Sequence, residues 1–160
     1  MAETFNIPQG SKADMYADLI EQAKSVVSTE SDVIANMGNV AAMLHFTFGF
    51  WWTGFYRVID GELVLGPFQG PLACTRIGKG RGVCGTSWKE AHTIVVPDVD
   101  QFPGHIACSS ESKSEIVVPI IINGDVKAVL DIDSAQLATF DEVDKTWLEK
   151  LVKELADKLV

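Results

Sequence analysis

Basic residues are scarce in this chain: 13 lysines and arginines stand against 22 aspartates and glutamates, a net charge of −9 at pH 7. A chain this acidic has no attraction for a phosphate backbone or an anionic lipid surface, so neither nucleic acid nor a membrane is expected as partner. No apolar run approaches the eighteen or so residues that a spanning helix needs. The N-terminus, MAETFNIPQGSKAD, lacks the basic flank and apolar core of a secretory signal, and a cytoplasmic location is expected. The run Gly78-Lys79-Gly80-Arg81-Gly82 is not a phosphate loop, because it has neither the Gly-Lys-Ser/Thr of a Walker motif nor the spacing of a dinucleotide fingerprint. Cysteine is sparse too. Cys74, Cys84 and Cys108 are an odd set, unsuited to a secreted disulfide scaffold, and with His92 and His105 they form no zinc spacing. No metal is expected. Inert core thiols and redox-active thiols both remain open.

What is present is an ordinary globular profile, 47% hydrophobic and 22% charged over 160 residues, read as one domain with residues 1–10 as an extension. Ser11 to Ser28 carries apolar residues at helical spacing, opened by Ser11 and Asp14 as a loose capping box. Asp32 to Phe46 is a second helix. Phe50 to Val58 is aromatic and β-prone, turning at Asp60-Gly61 into Glu62 to Leu65. Trp52, Gly54, Tyr56 and Val58 alternate onto one face of that strand, as pocket wall or as core. A glycine-rich stretch follows, with a short strand in Leu72 to Ile77. Then comes a short helix, Val83 to Ala91, with Cys84 near its N-terminus, where a thiolate is favoured. Thr93 to Val96 is a strand, and Pro97 to Ile106 a loop. Thr139 to Val160 closes the chain as an amphipathic helix, capped by Thr139 and Glu142. The fold class is α+β: an antiparallel sheet of five to six strands with helices on one face and ligand-binding loops on the other.

The centre of the chain is Ala107 to Ser134, ACSSESKSEIVVPIIINGDVKAVLDIDS, two strands about Asn123-Gly124. A two-residue loop mixes greasy and charged side chains on one face. A three-residue loop with Gly124 left-handed instead puts Ile116, Val118 and Ile120 opposite Leu130, Ala128 and Val126. The buried face selects the second arrangement, because a one-residue slip turns every side chain over. Glu115 then faces Asp131, with Asp133 two residues beyond, all beside the loop that carries Cys108. Three acids this close repel unless a cation or a raised pKa offsets them. They read as a thiol facing an acidic pocket, or else as a solvated sheet edge. A protease-like pair of Cys108 with His105, three residues away in one loop, is not the usual geometry.

The order of elements resembles a GAF domain. The segments GPFQGPLACTRIGKGRGVCG, HTIVVPDVDQFPGHIACSSESKSEIVVPI and VLDIDS resemble the free methionine-(R)-sulfoxide reductases, a likeness running from about Tyr16 to Leu155. That resemblance implies a thiol-dependent oxidoreductase acting on free methionine-(R)-sulfoxide. It implies Cys108 as the attacking thiol and Cys84 and Cys74 as the two that can resolve it, with the choice between them open. Glu115, Asp131 and Asp133 match the substrate-binding carboxylates, and Trp52 and Tyr56 match the aromatic wall. Within that frame Glu115 is the expected proton donor, and an ionised Asp131 or Asp133 holds the substrate ammonium. No cofactor is implied beyond thioredoxin or another thiol reductant, and homodimers are common among GAF proteins. The competing readings are a GAF module that senses a small molecule without chemistry, and a non-catalytic redox switch.

Overall fold

In the computed structural model, residues 4–160 are described. Helix α1, Lys12–Val27, begins where expected: Ser11 and Asp14 complete a capping box, each side chain satisfying the other's backbone N–H. Helix α2, Val33–Phe48, is capped by Asp32 and stopped by Gly49, whose φ of 67° suits a residue without Cβ. The strands are β1 Trp52–Ile59, β2 Glu62–Gln69, β3 Arg76–Gly78, β4 Ile94–Val96, β5 Ser114–Ile122 and β6 Asp125–Ser134. They form one antiparallel sheet in the order β3-β2-β1-β6-β5-β4. Strand β2 runs four residues beyond the expected Leu65, because a bulge at Gly66-Pro67 lets it keep pairing with β1 as far as Gln69.

Helix α4, Glu142–Glu154, and the short α5, Ala156–Leu159, join α1 and α2 over one face of the sheet. Tyr16, Leu44, Phe55, Ile116, Leu130 and Leu148 are fully buried in the core between these layers. Tyr16 donates to Asp144 Oδ1 at 2.7 Å, and Lys12 Nζ donates to Asp144 Oδ2 at 2.8 Å, tying α1 to α4. The expected cap of α4 needs correction. Asp141, not Thr139, is the N-cap, and it shares a capping box with Asp144 rather than Glu142. Phe140 is buried in the core, which keeps the chain extended two residues longer, and the Thr139 hydroxyl is spent on Ser134 Oγ at 2.6 Å.

The hairpin pairing also needs correction, in an instructive way. Asn123 and Gly124 both take positive φ, 52° and 83°, so the loop has two residues and Ile122 pairs with Asp125. A bulge then leaves Lys127 without a partner on β5, and from Ile120 onward the facing shifts by one. Glu115 therefore faces Asp133, and Val117 faces Asp131, two residues away from the expected pairs. The faces themselves are as expected. Ile116, Val118 and Ile120 lie under the helices with Ile132, Leu130 and Ala128, while Glu115, Asp131 and Asp133 point to the opposite side.

Candidate active site

That opposite side is covered by α3, Gly82–Glu90, and by the loops 70–75 and 97–113. The glycines before α3 serve close packing, not phosphate. A Cβ on Gly85 would run into the Gly78 carbonyl, and the Gly80 and Arg81 amides donate internally to Gly85 O at 2.8 Å and Gly78 O at 3.0 Å. This tight wrap seats Cys84, in the first turn of α3, directly on the sheet.

Between these layers lies a cavity of about 50 Å³, lined among others by Trp52, Tyr56, Cys84, Cys108, Glu115, Asp131 and Asp133. Gly54 shapes its wall: a Cβ there would sit 2.6 Å from the Trp52 ring and collide with Phe68. Without one, Phe68 stacks on Trp52 with centroids 5.2 Å apart, and Trp52 stacks on Tyr56 at 6.0 Å. Both aromatics also hold the loop that carries Cys74. The Trp52 indole N–H donates to Pro71 O at 3.1 Å and the Tyr56 hydroxyl to Cys74 O at 2.8 Å.

Cys74 and Cys108 are joined by a disulfide with Cα atoms 5.7 Å apart, so loop 70–75 is linked to loop 97–113. Cys108 is exposed and Cys74 half-buried. Cys84 is the free, buried thiol. The expectation of a favoured thiolate at Cys84 is overturned. Burial first, and the charges of Asp131 and Glu115 next, push this thiol well above its ordinary range, outweighing the helix terminus.

The acids respond in the same direction. Glu115 and Asp131 are 5% and 6% exposed. Burial raises both well above the usual carboxylate range, with the charge of Asp133 next for Glu115 and that of Glu115 next for Asp131. Asp133 is also raised, by burial and then by Asp131, although it accepts a 2.6 Å hydrogen bond from Ser112 Oγ. Among the described residues, Asp131 Oδ1 finds no hydrogen-bond partner although it is buried. His105 Nε2 stands 3.6 Å from Glu115 Oε2. Burial lowers the imidazole, with Asp100 working against the shift, while burial raises the acid, so both shifts favour the uncharged forms and oppose an ion pair across this contact. His105 thus turns to Glu115 rather than forming a nucleophile–base pair with Cys108.

Trp52, Tyr56, Cys84, Cys108, Glu115, Asp131 and Asp133 line this one cavity, and Cys74 joins them through its disulfide to Cys108. Ser112, Trp51 and the partnership of His105 with Glu115 were not foreseen. Trp51 donates from its indole N–H to Ser109 Oγ at 3.3 Å and so closes the rim. Ser109 and Ser112 sit in a polar loop that gives no periodic signal, so only the loop's closeness to Cys108 pointed to them. The donor atoms of Cys84, Glu115 and Asp131 all lie within 4.8 Å of one another, brought together from α3, β5 and β6.

A six-stranded antiparallel sheet with helices on one face and a small loop-covered cavity on the other defines a GAF domain, and the GAF domain family model matches residues 28–159. The free methionine-R-sulfoxide reductase of Escherichia coli is 41% identical over 145 residues, 90% of this chain and 88% of that protein. A GAF domain-containing protein A from Dictyostelium discoideum is 53% identical over 97% of this chain and 99% of that one. The crystal structure of the Neisseria meningitidis free methionine-R-sulfoxide reductase, solved in complex with its substrate, superposes with a TM-score of 0.96 at 50% identity, covering 99% of this chain and 96% of that one. The chain belongs to the free methionine-R-sulfoxide reductase family of GAF-domain proteins.

Proposed function

We propose that this protein reduces free methionine-(R)-sulfoxide to methionine, with Cys108 as nucleophile and Cys74 as the resolving thiol. The observation that carries this is the meeting of the buried Glu115 and Asp131, the half-buried Asp133 and the Cys74–Cys108 disulfide at one aromatic-walled cavity. In the reduced protein the Cys108 sulfur attacks the sulfoxide sulfur. The S–O oxygen leaves with Cys108 as a sulfenic acid, and methionine is released two electrons richer. The departing oxygen needs a proton, and Glu115, held neutral by burial, supplies it. The Cys74 thiol then displaces water from the sulfenic acid, giving the Cys74–Cys108 disulfide. Thioredoxin or a similar dithiol resets it by exchange, which suits a reducing compartment such as the cytoplasm.

The unpartnered Asp131 oxygen suits the substrate's ammonium group, which a peptide-bonded methionine lacks. Trp52 and Tyr56 pack on the methyl end. A cavity of about 50 Å³ holds one or two waters, so the amino acid enters once reduction frees the two loops.

The test is turnover of racemic free methionine sulfoxide with a thioredoxin system. Consumption is expected to stop at half the racemate, N-acetylmethionine sulfoxide is expected to be left untouched, and Cys108→Ser is expected to abolish activity. Complete consumption of both isomers, or undiminished activity of Cys108→Ser, would overturn the reading.

A further inference from the structure

We propose that Cys84, Glu115 and Asp131 form a binding site for a borderline-soft divalent cation such as Zn²⁺, and that an ion held there blocks the substrate cavity. Sequence spacing gave no hint of such a site, because its donors come from three separate elements. The structure brings one sulfur and two carboxylate oxygens within 4.8 Å of one another, all on buried residues. Ligands of one tetrahedral zinc lie about 3.3–3.7 Å apart, given Zn–S and Zn–O lengths of about 2.3 and 2.0–2.2 Å, so closing on an ion requires shifts of about an ångström. His105 offers a fourth donor, its Nε2 being 3.6 Å from Glu115 Oε2, a spacing that two ligands of one zinc would show.

A second observation, on a member of the cluster, points to a ligand. Asp131 Oδ1 is buried with no hydrogen-bond partner among the described residues, on a residue only 6% exposed that belongs to the group. A substrate ammonium would use that oxygen but has no use for a thiol, whereas a thiophilic cation uses both. Cys84 is also the thiol that the disulfide leaves free. The basic side chains lining the cavity are Arg81 and His105, against Glu115, Asp131 and Asp133, so a dication that displaces the protons of the acids finds more anionic than cationic groups around it. Binding releases the Cys84 thiol proton, and any proton on the two carboxyls, to solvent.

The experiment uses the full chain with the Cys74–Cys108 disulfide intact, which leaves Cys84 as the single thiol. Titration with Co²⁺ is expected to give a thiolate-to-cobalt charge-transfer band that saturates at one equivalent and is displaced by Zn²⁺. Cys84→Ser, close in size and checked for folding by circular dichroism, is expected to lose the band and to weaken Zn²⁺ by more than about 100-fold in competition with a chromogenic chelator. That exceeds the 10–100-fold typical of losing an outer-shell partner. Glu115→Gln, whose neutral amide is a poor ligand, is expected to weaken Zn²⁺ as well. Excess free methionine sulfoxide is expected to compete with the metal in the Cys74→Ser, Cys108→Ser double variant, where the two loops are unlinked and Cys84 is again the single thiol. Absence of the band at one equivalent, or a band unchanged in Cys84→Ser, overturns the site. Metal binding by the double variant that is indifferent to both the sulfoxide and free methionine overturns the blocking. These readouts are spectroscopic, so they stand apart from any failure to turn over substrate.

Discussion

Replacing Glu115 by Gln is expected to make the protein more stable and far less active. Glu115 lies 5% exposed among Asp131, Asp133, the Cys84 thiol and His105, and its folded-state pKa is raised well above the ordinary value, by burial first and the charge of Asp133 next. In the unfolded chain a glutamate gives up its proton near pH 4.3. Above that pH the unfolded state binds one proton fewer than the folded state, so unfolding becomes easier as pH rises. The stability that the protonated acid allows is complete below the unfolded value and is lost as pH climbs towards the folded one. The slope for one such group is about 1.4 kcal/mol per pH unit. Glutamine keeps the shape and an N–H donor but has nothing to ionise, and it also removes one of the charges raising Asp131. The variant is therefore expected to match the wild type near pH 4.5 and to gain on it by about 1.4 kcal/mol for each pH unit in which the wild type still holds its proton. The gain is read as a rise in Tm of roughly 2–4 °C for each kcal/mol in a domain of this size. Urea unfolding from pH 4.5 to 8, with a chelator present, measures the difference directly, and the Asp141 and Lys12 contributions cancel in the comparison. Loss of the proton donor is expected to lower kcat by about 10²–10⁴-fold. A glutamine variant that is less stable at pH 7, by an amount that does not change with pH, would show that Glu115 is ionised and held by a cation. The proposed proton transfer would then fail.

Gly54→Ala places a Cβ 2.6 Å from the Trp52 ring and against Phe68, so the aromatic wall must move. Overpacking of this kind costs about 1–3 kcal/mol, and a fall of roughly tenfold or more in kcat/KM for the sulfoxide is expected, read by steady-state kinetics. An unchanged KM and kcat would detach the wall from the substrate site. Asp144→Ala strands the buried Tyr16 hydroxyl and removes half of the α4 capping box, far from the cavity. A loss of roughly 2–5 kcal/mol in urea unfolding is expected with kcat nearly unchanged at low temperature.

Several parts of the structure were legible because a single local rule decides them. Ser11 with Asp14, and the helical spacing of Tyr16, Leu19, Ile20 and Ala23, fix α1 without help from the rest of the chain. At α4 the same rule was applied to the wrong residue. Thr139 and Asp141 both satisfy the cap signature, and what separates them is Phe140, whose burial against the core is a tertiary fact. The thiol of Cys84 failed for a related reason: a helix N-terminus can be read from sequence, but full burial beside two acids cannot. Which cysteine pairs with Cys108 depends on two loops folding over one sheet face, and 34 residues separate the pair in the chain.

The hairpin shows why the acidic face could be read correctly from a register that was wrong. Sliding one strand by a single residue turns its apolar side outward, at a cost of many buried methylenes, so hydrophobic patterning discriminates strongly between odd and even pairings. Sliding it by two residues keeps every side chain on its own face, and burial barely changes. The choice between those alternatives falls to the turn at Asn123-Gly124 and to the unpaired Lys127, features worth little energy and nearly silent in the pattern. The chemistry needs only that Glu115, Asp131 and Asp133 share the face away from the helices, which the strongly determined property guarantees. Which acid lies directly opposite which is left to the weakly determined one, and with it the finer matter of which carboxylate gains most from a neighbour's charge.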